Sequence, residues 1–183
     1  MVIEGINNQR VEIRVNNYQF PETNDRDYDG NWLNIYLNVK SELGNWQTVD
    51  PSLLTWEVQE LIDWLDQLSK NEKPKWKNME FIEPNLCFHL MNSHDDLKKK
   101  IKIEFKLESR PRSANEDDEY FVEFIASNEN LKNIANGFRS ELSKFPVRLK
   151  KMPHNKAAQL GHTSATHNLC FYSINCTALR CAG

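Results

Sequence analysis

No stretch of the 183 residues approaches the roughly 18 consecutive apolar residues that a membrane span requires. The chain opens Met1-Val2-Ile3-Glu4-Gly5, with no basic stretch ahead of an apolar core. No signal peptide is therefore expected, and the cytoplasm is the expected compartment. Catalytic signatures are missing as well: there is no G-x-S-x-G, no H-E-x-x-H, no Walker-type phosphate loop and no G-x-G-x-x-G. An enzyme is not expected. Residues 1–149 carry a single cysteine, Cys87, and two histidines, His89 and His94, and no C-x-x-C occurs anywhere. No internal repeat is visible. The composition that remains, 39% apolar and 27% charged, suits one globular domain rather than a fibrous or disordered chain.

Charge divides the chain unevenly. Residues 1–149 hold 19 basic and all 26 acidic side chains, a net of −7, whereas 150–183 hold four basic and no acidic ones. Three of the four cysteines (Cys170, Cys176, Cys181) and three of the five histidines (His154, His162, His167) also lie in that last stretch. Such a shift of composition marks a boundary. Residues 1–149 are read as a single domain and 150–183 as an appended, poorly ordered tail without sustained periodicity. A zinc site built from His162, His167, Cys170, Cys176 and Cys181 is the competing reading of the tail. Only His167 and Cys170 approach the close ligand spacing that zinc favours, so no metal or other cofactor is assigned.

The body reads as strands interrupted by two helices. Val11, Ile13 and Val15 alternate with polar residues over 10–20, and Leu33, Ile35, Leu37 and Val39 share one face over 31–40. Leu43-Gly44-Asn45 turns into a short strand at 46–49, which Asp50-Pro51-Ser52 is expected to break. A helix begins near Thr55, read as its cap. Val58, Leu61, Ile62, Leu65 and Leu68 form its apolar stripe, while Glu57, Gln59, Glu60, Asp63 and Asp66 face away. Strands resume at 79–82, 86–91, 101–107 and 120–126. A second helix over 130–145 buries Leu131, Ile134, Ala135, Phe138, Leu142 and Phe145, and Pro146 ends it. The fold class is α+β: mainly antiparallel sheet, about six to eight strands, with two amphipathic helices packed on it.

Candidate chemistry is sparse. Asp25-Arg26-Asp27-Tyr28-Asp29-Gly30 opens like a calcium loop, but position 12, which should be a bidentate Glu, is Tyr36. Cys87 and His89 share a strand face, yet nucleophilic catalysis there would still need an orienting third group and an oxyanion donor. Lys98-Lys99-Lys100, Lys102 and Lys106 alternate with Glu104 and Glu108, which suits a solvated strand face better than a nucleic-acid contact. The strongest bias is acidic: the first 66 residues carry twelve acids against four bases. Such a surface favours a basic partner and steers its approach.

Longer strings go further. In chain order these are Tyr18-Gln19-Phe20-Pro21, Asp29-Gly30-Asn31-Trp32-Leu33, Asp50-Pro51-Ser52-Leu53-Leu54-Thr55 and Leu61-Ile62-Asp63-Trp64-Leu65. Phe81-Ile82-Glu83-Pro84-Asn85-Leu86, Glu108-Ser109-Arg110-Pro111 and Phe145-Pro146-Val147-Arg148 complete the set. Together they resemble the WapI family of bacterial immunity proteins over residues 3–148, and the likeness stops where the composition changes. The resemblance implies a small cytoplasmic inhibitor that binds the C-terminal toxin domain of a large wall-associated or contact-delivered protein. RNases are among such toxins. An RNase presents a basic substrate cleft, which an acidic inhibitor can occupy in place of phosphate. The expected toxin-binding residues are Asp25, Asp27 and Asp29 in the first acidic loop, Glu57, Glu60 and Asp63 on the helix, and Glu116, Asp117, Asp118 and Glu119 before the last strand. No nucleic-acid or membrane partner is expected. The alternative is a general α+β ligand-binding module assisted by calcium at Asp25, Asp27 and Asp29.

Overall fold

Alternating burial along the strands generates two antiparallel sheets. The computed structural model describes residues 1–22, 29–92 and 98–148. The first sheet is a meander of β1 (Val2–Glu4), β2 (Arg10–Tyr18), β3 (Trp32–Ser41) and β4 (Gly44–Leu54), in that spatial order. Helix α1 (Thr55–Ser69) follows. The second sheet is another meander, β5 (Asn78–Glu80), β6 (Leu86–Met91), β7 (Lys98–Phe105) and β8 (Tyr120–Ser127), and α2 (Asn128–Leu142) follows it. The predicted class holds, with eight strands split between two sheets. The sequence shows no repeat, yet four strands and a 15-residue helix occur twice in succession.

Two expectations need correction. Asp50-Pro51-Ser52 does not break the first sheet, because β4 continues to Leu54. Leu33 pairs with Leu53 and Asn34 with Pro51, so Ser52 is an extra residue at a bulge. A bulge on an edge strand is where a ladder tolerates proline. Thr55 is not the helix cap either. It is the first helical residue, and its hydroxyl donates to Asn31 Oδ1 at 3.0 Å in a fully buried contact.

One apolar core collects both sheets and both helices. Val58, Leu61, Ile62, Leu65 and Leu68 are buried, as the stripe predicts. Phe138 of α2 meets Phe88 edge to face at 6.4 Å. Trp46 of β4 reaches the other sheet: its indole N–H donates to the Ser109 carbonyl at 2.8 Å, and its ring meets Phe105 and Tyr120 edge to face at 5.5 and 5.7 Å. A second tie lies at the free edge of β8, where Glu123 N–H donates to Gln9 Oε1 at 2.8 Å. Gly5 permits that approach, since a Cβ there would stand 2.7 Å from the Glu123 carbonyl oxygen.

The described chain closes with a clamp. The Tyr18 hydroxyl donates to the Pro146 carbonyl, and Phe145 packs edge to face on the Tyr18 ring at 5.4 Å. The Arg148 guanidinium lies 3.4 Å over that ring and donates to the Phe20 carbonyl at 2.8 Å. The Arg148 N–H donates to Asn31 Oδ1 at 2.9 Å. The predicted helix end at 145 falls too late, because α2 stops at Leu142 and the residues after it form the clamp.

Leu61 is fully buried mid-stripe on α1, whereas Asp63 is exposed. Leu61→Ala should lower the unfolding free energy by about 2–5 kcal/mol. Asp63→Ala should change it by no more than about 0.5 kcal/mol. Denaturant melts of both variants check this, and similar losses would mean that α1 is rotated from the orientation described.

Candidate functional site

The ten expected toxin-binding acids do not share one environment. Asp25 and Asp27 lie outside the described residues. Glu60 and Asp63 are exposed on α1 and line a groove with Trp64 and Trp76, the latter 58% exposed. Glu116, Asp117, Asp118 and Glu119 are exposed ahead of β8, and Glu119 is paired with Lys102. Asp29 is exposed and lines a different recess.

Glu57 requires a correction: it is only 4% exposed and cannot meet a partner. Its Oε2 accepts the Leu54 N–H at 2.8 Å and its Oε1 accepts the Ile82 N–H at 2.7 Å. Burial pushes its carboxyl above the ordinary range, and the two backbone donors only partly oppose that. The sequence did carry a signal for this role. A glutamate at the third position of a helix is where a side chain can reach back to the free N–H at the start.

The recess that includes Asp29 is a cleft of about 470 Å³. β4 supplies Asp50 beside its bulge, the connection from β5 to β6 supplies Glu83 and Asn85, and the 3-10 turn Leu107–Ser109 supplies Glu108. Phe20 and Trp32 add aromatic surface. Asn85 is 1% exposed; its Nδ2 donates to Asp50 Oδ2 at 2.7 Å and to Ser52 Oγ at 3.4 Å. Its Oδ1 has no partner among the described residues, and a buried acceptor in that state costs about 1–3 kcal/mol. Asp50 is held above the ordinary carboxylate range, first by burial and then by the nearby Glu108 charge. Among the described residues, Asp29, Asp50, Glu83 and Glu108 form no ion pair. Two exposed apolar residues, Val49 and Leu107, line a neighbouring recess that shares Asp50 and Glu108 with the cleft, and Leu107 adopts φ +47°. Five of the seven family-resembling strings contribute to this cleft, a convergence that no single string could announce.

The outer face of the second sheet differs. Lys100 pairs with Glu123 at 2.9 Å, Lys106 with Glu104 at 3.1 Å, and Lys102 with Glu119, so the lysine run is largely matched by acids. Cys87 Sγ lies 3.9 Å from His89 Nδ1, whose ring Nε2 is 2.8 Å from Glu104 Oε2. Glu104, opposite Cys87 in the strand register, is the third group that sequence reasoning missed. Burial, with the Glu80 and Glu104 charges, pushes the Cys87 thiol up to about 11, so at neutral pH it is a protonated core thiol. Glu104 keeps its carboxyl below the ordinary range, because hydrogen bonds from His89 and Lys106 outweigh its desolvation. The three side chains could offer ligands to a metal ion, but Lys106 already shares the carboxylate.

These features describe an α+β domain with one acidic cleft and a buried thiol that is protonated. The model of the immunity protein WapI-like family matches residues 2–146. The chain belongs to that family, whose members are typically non-enzymatic inhibitors. No curated protein and no solved structure matches it.

Glu57 and Glu104 should respond to pH with opposite sign. A carboxyl held high in the folded state is penalised when ionised, so its contribution to stability is lost as pH rises through the raised value. A carboxyl held low contributes above its unfolded value of about 4.3 and loses that contribution as pH falls. The stability advantage of the wild type over Glu57→Gln should therefore shrink as pH rises from about 4 to 7, and that over Glu104→Gln should grow. Urea melts across this range check both slopes; slopes of the same sign would contradict the two environments.

Proposed function

We infer that this protein neutralises a bacterial toxin by binding it. The partner is the C-terminal toxin domain of a wall-associated or contact-delivered protein, met in the cytoplasm. The family match over residues 2–146 carries this reading. An RNase domain is the partner class that the charge favours. The net of −7 over residues 1–149 and the four carboxylates of the cleft complement a surface built to hold phosphates. The calcium-assisted alternative retains only Asp29 among the described residues, and nothing in the site favours it.

Co-expression with the C-terminal domain of a toxin encoded beside this protein should restore growth that the toxin domain alone abolishes. Growth arrest that persists despite soluble expression of both chains would refute the reading. Residues 1–149 are proposed to suffice, so a chain ended after Lys150 should rescue as well as the full chain.

Exposed acids outside the cleft should act through steering. Reversing Glu60 and Asp63 to lysine, or Glu116, Asp117 and Asp118, should slow association with the toxin domain while changing dissociation little. The difference should fade with added salt. Association rates unchanged at both low and high salt would remove steering from the mechanism and leave family membership untouched.

A further inference from the structure

The acidic cleft differs from the other charged surfaces of the domain. Four carboxylates, Asp29, Asp50, Glu83 and Glu108, line it, and among the described residues no lysine, arginine or histidine does. The acids on the second sheet, by contrast, have cationic partners. Asn85 supplies an independent sign that a donor is wanted. It lines the cleft, is 99% buried by the 1% exposure given above, and leaves its carbonyl oxygen unpartnered among the described residues. Both of its amide contacts are fixed on Asp50 and Ser52. The recess thus gathers four carboxylates and one unpartnered amide oxygen, with only the neutral side chains of Gln19 and Trp32 to donate into it. Its volume, about 470 Å³, exceeds what a bare ion needs and falls in the range that holds organic groups. Two aromatic side chains, Phe20 (44% exposed) and Trp32, provide surfaces on which a planar cation can stack.

We propose that this cleft is the receptor for an arginine side chain of the partner protein, which on the reading above is the toxin domain. A guanidinium satisfies the cleft better than an ammonium does. It presents five N–H donors in a planar fork, bonds carboxylates bidentately and stacks on aromatic rings, whereas lysine offers a compact, strongly hydrated point charge. Val49 and Leu107, exposed in the recess that shares Asp50 and Glu108 with the cleft, exclude water around the seated group once the partner closes over them. An RNase domain carries arginines to hold its substrate's phosphates, so the same side chain that contacts RNA can be taken up here.

Titration of the isotope-labelled full chain with argininamide, lysinamide and calcium chloride at matched ionic strength tests the cleft without any toxin. The Asn85 side-chain amide and Trp32 indole signals should move saturably with argininamide and several-fold more weakly with lysinamide. Asp50→Asn with Glu108→Gln should weaken argininamide at least about tenfold. Glu83→Gln alone should weaken it less, and thermal melts confirm that the variants fold. Absence of a saturable shift overturns the proposal. Calcium moving these signals where argininamide does not would make the cleft a metal site and also overturns it. Binding that emerges only in Arg26→Ala would mean that the chain's own arginine fills the cleft, again against the proposal. The toxin domain then separates the two levels. If the wild type rescues growth and Asp50→Asn with Glu108→Gln binds the toxin domain equally well, the arginine receptor is wrong and immunity stands. If the wild type does not rescue, immunity is wrong and the argininamide titration still decides the cleft.

Discussion

Glu57 gives its two carboxylate oxygens to backbone N–H groups from separate parts of the chain, Leu54 at the start of α1 and Ile82 just beyond β5. The first bond orders the beginning of the helix, and the second fixes where the chain re-enters after it. A carboxylate can stay buried without a cationic partner here because two donors and the positive end of the helix face it. Much else follows from that anchor. With Ile82 placed, Glu83 and Asn85 follow within three residues, and the Asn85 amide comes to 2.7 Å from Asp50 on the first sheet. The walls of the acidic cleft are therefore set by a residue that does not line it.

The fold was largely legible because period-two burial is a local property. Leu33, Ile35, Leu37 and Val39 could be assigned to one face from spacing alone, and so could Ile101, Ile103 and Phe105. Spacing says which residues are buried but not which sheet buries them, so the division into two meanders was not visible. Pro51 misled because proline usually ends a ladder, whereas an edge strand with an extra residue absorbs it. Glu57 misled because a helical wheel treats every polar residue off the stripe as solvent-facing. The first turn of a helix has a second use for such a residue, satisfying free N–H groups. The acidic character of the surface was legible from counts. The cleft was not, since Asp29, Asp50, Glu83 and Glu108 come together only through β3–β4 pairing, the Glu57 bonds and the Trp46 contact with Ser109.

Charge is distributed so that its consequences differ from face to face. On the second sheet, lysines and glutamates alternate across strands and neutralise one another, which leaves little net field there. In the cleft, like charges are crowded and one of them, Asp50, is partly desolvated. Crowding of this kind opposes folding and favours whatever cation relieves it. A stability cost is thus concentrated at the place most able to recover it on binding.

The clamp made by Phe145, Pro146 and Arg148 on Tyr18, Phe20 and Asn31 has a consequence for the order of events as the chain is made. Each sheet is a meander in which every strand pairs with its neighbour in the sequence, and such local pairings form early. The Arg148 side chain reaches the Phe20 carbonyl across a sequence separation of 128 residues, so this contact waits until nearly the whole domain has left the ribosome. Until then Tyr18 lacks its edge-to-face neighbour and Asn31 lacks one of its donors. The first meander is born with an open end, and it is sealed by residues made only after the second meander is complete.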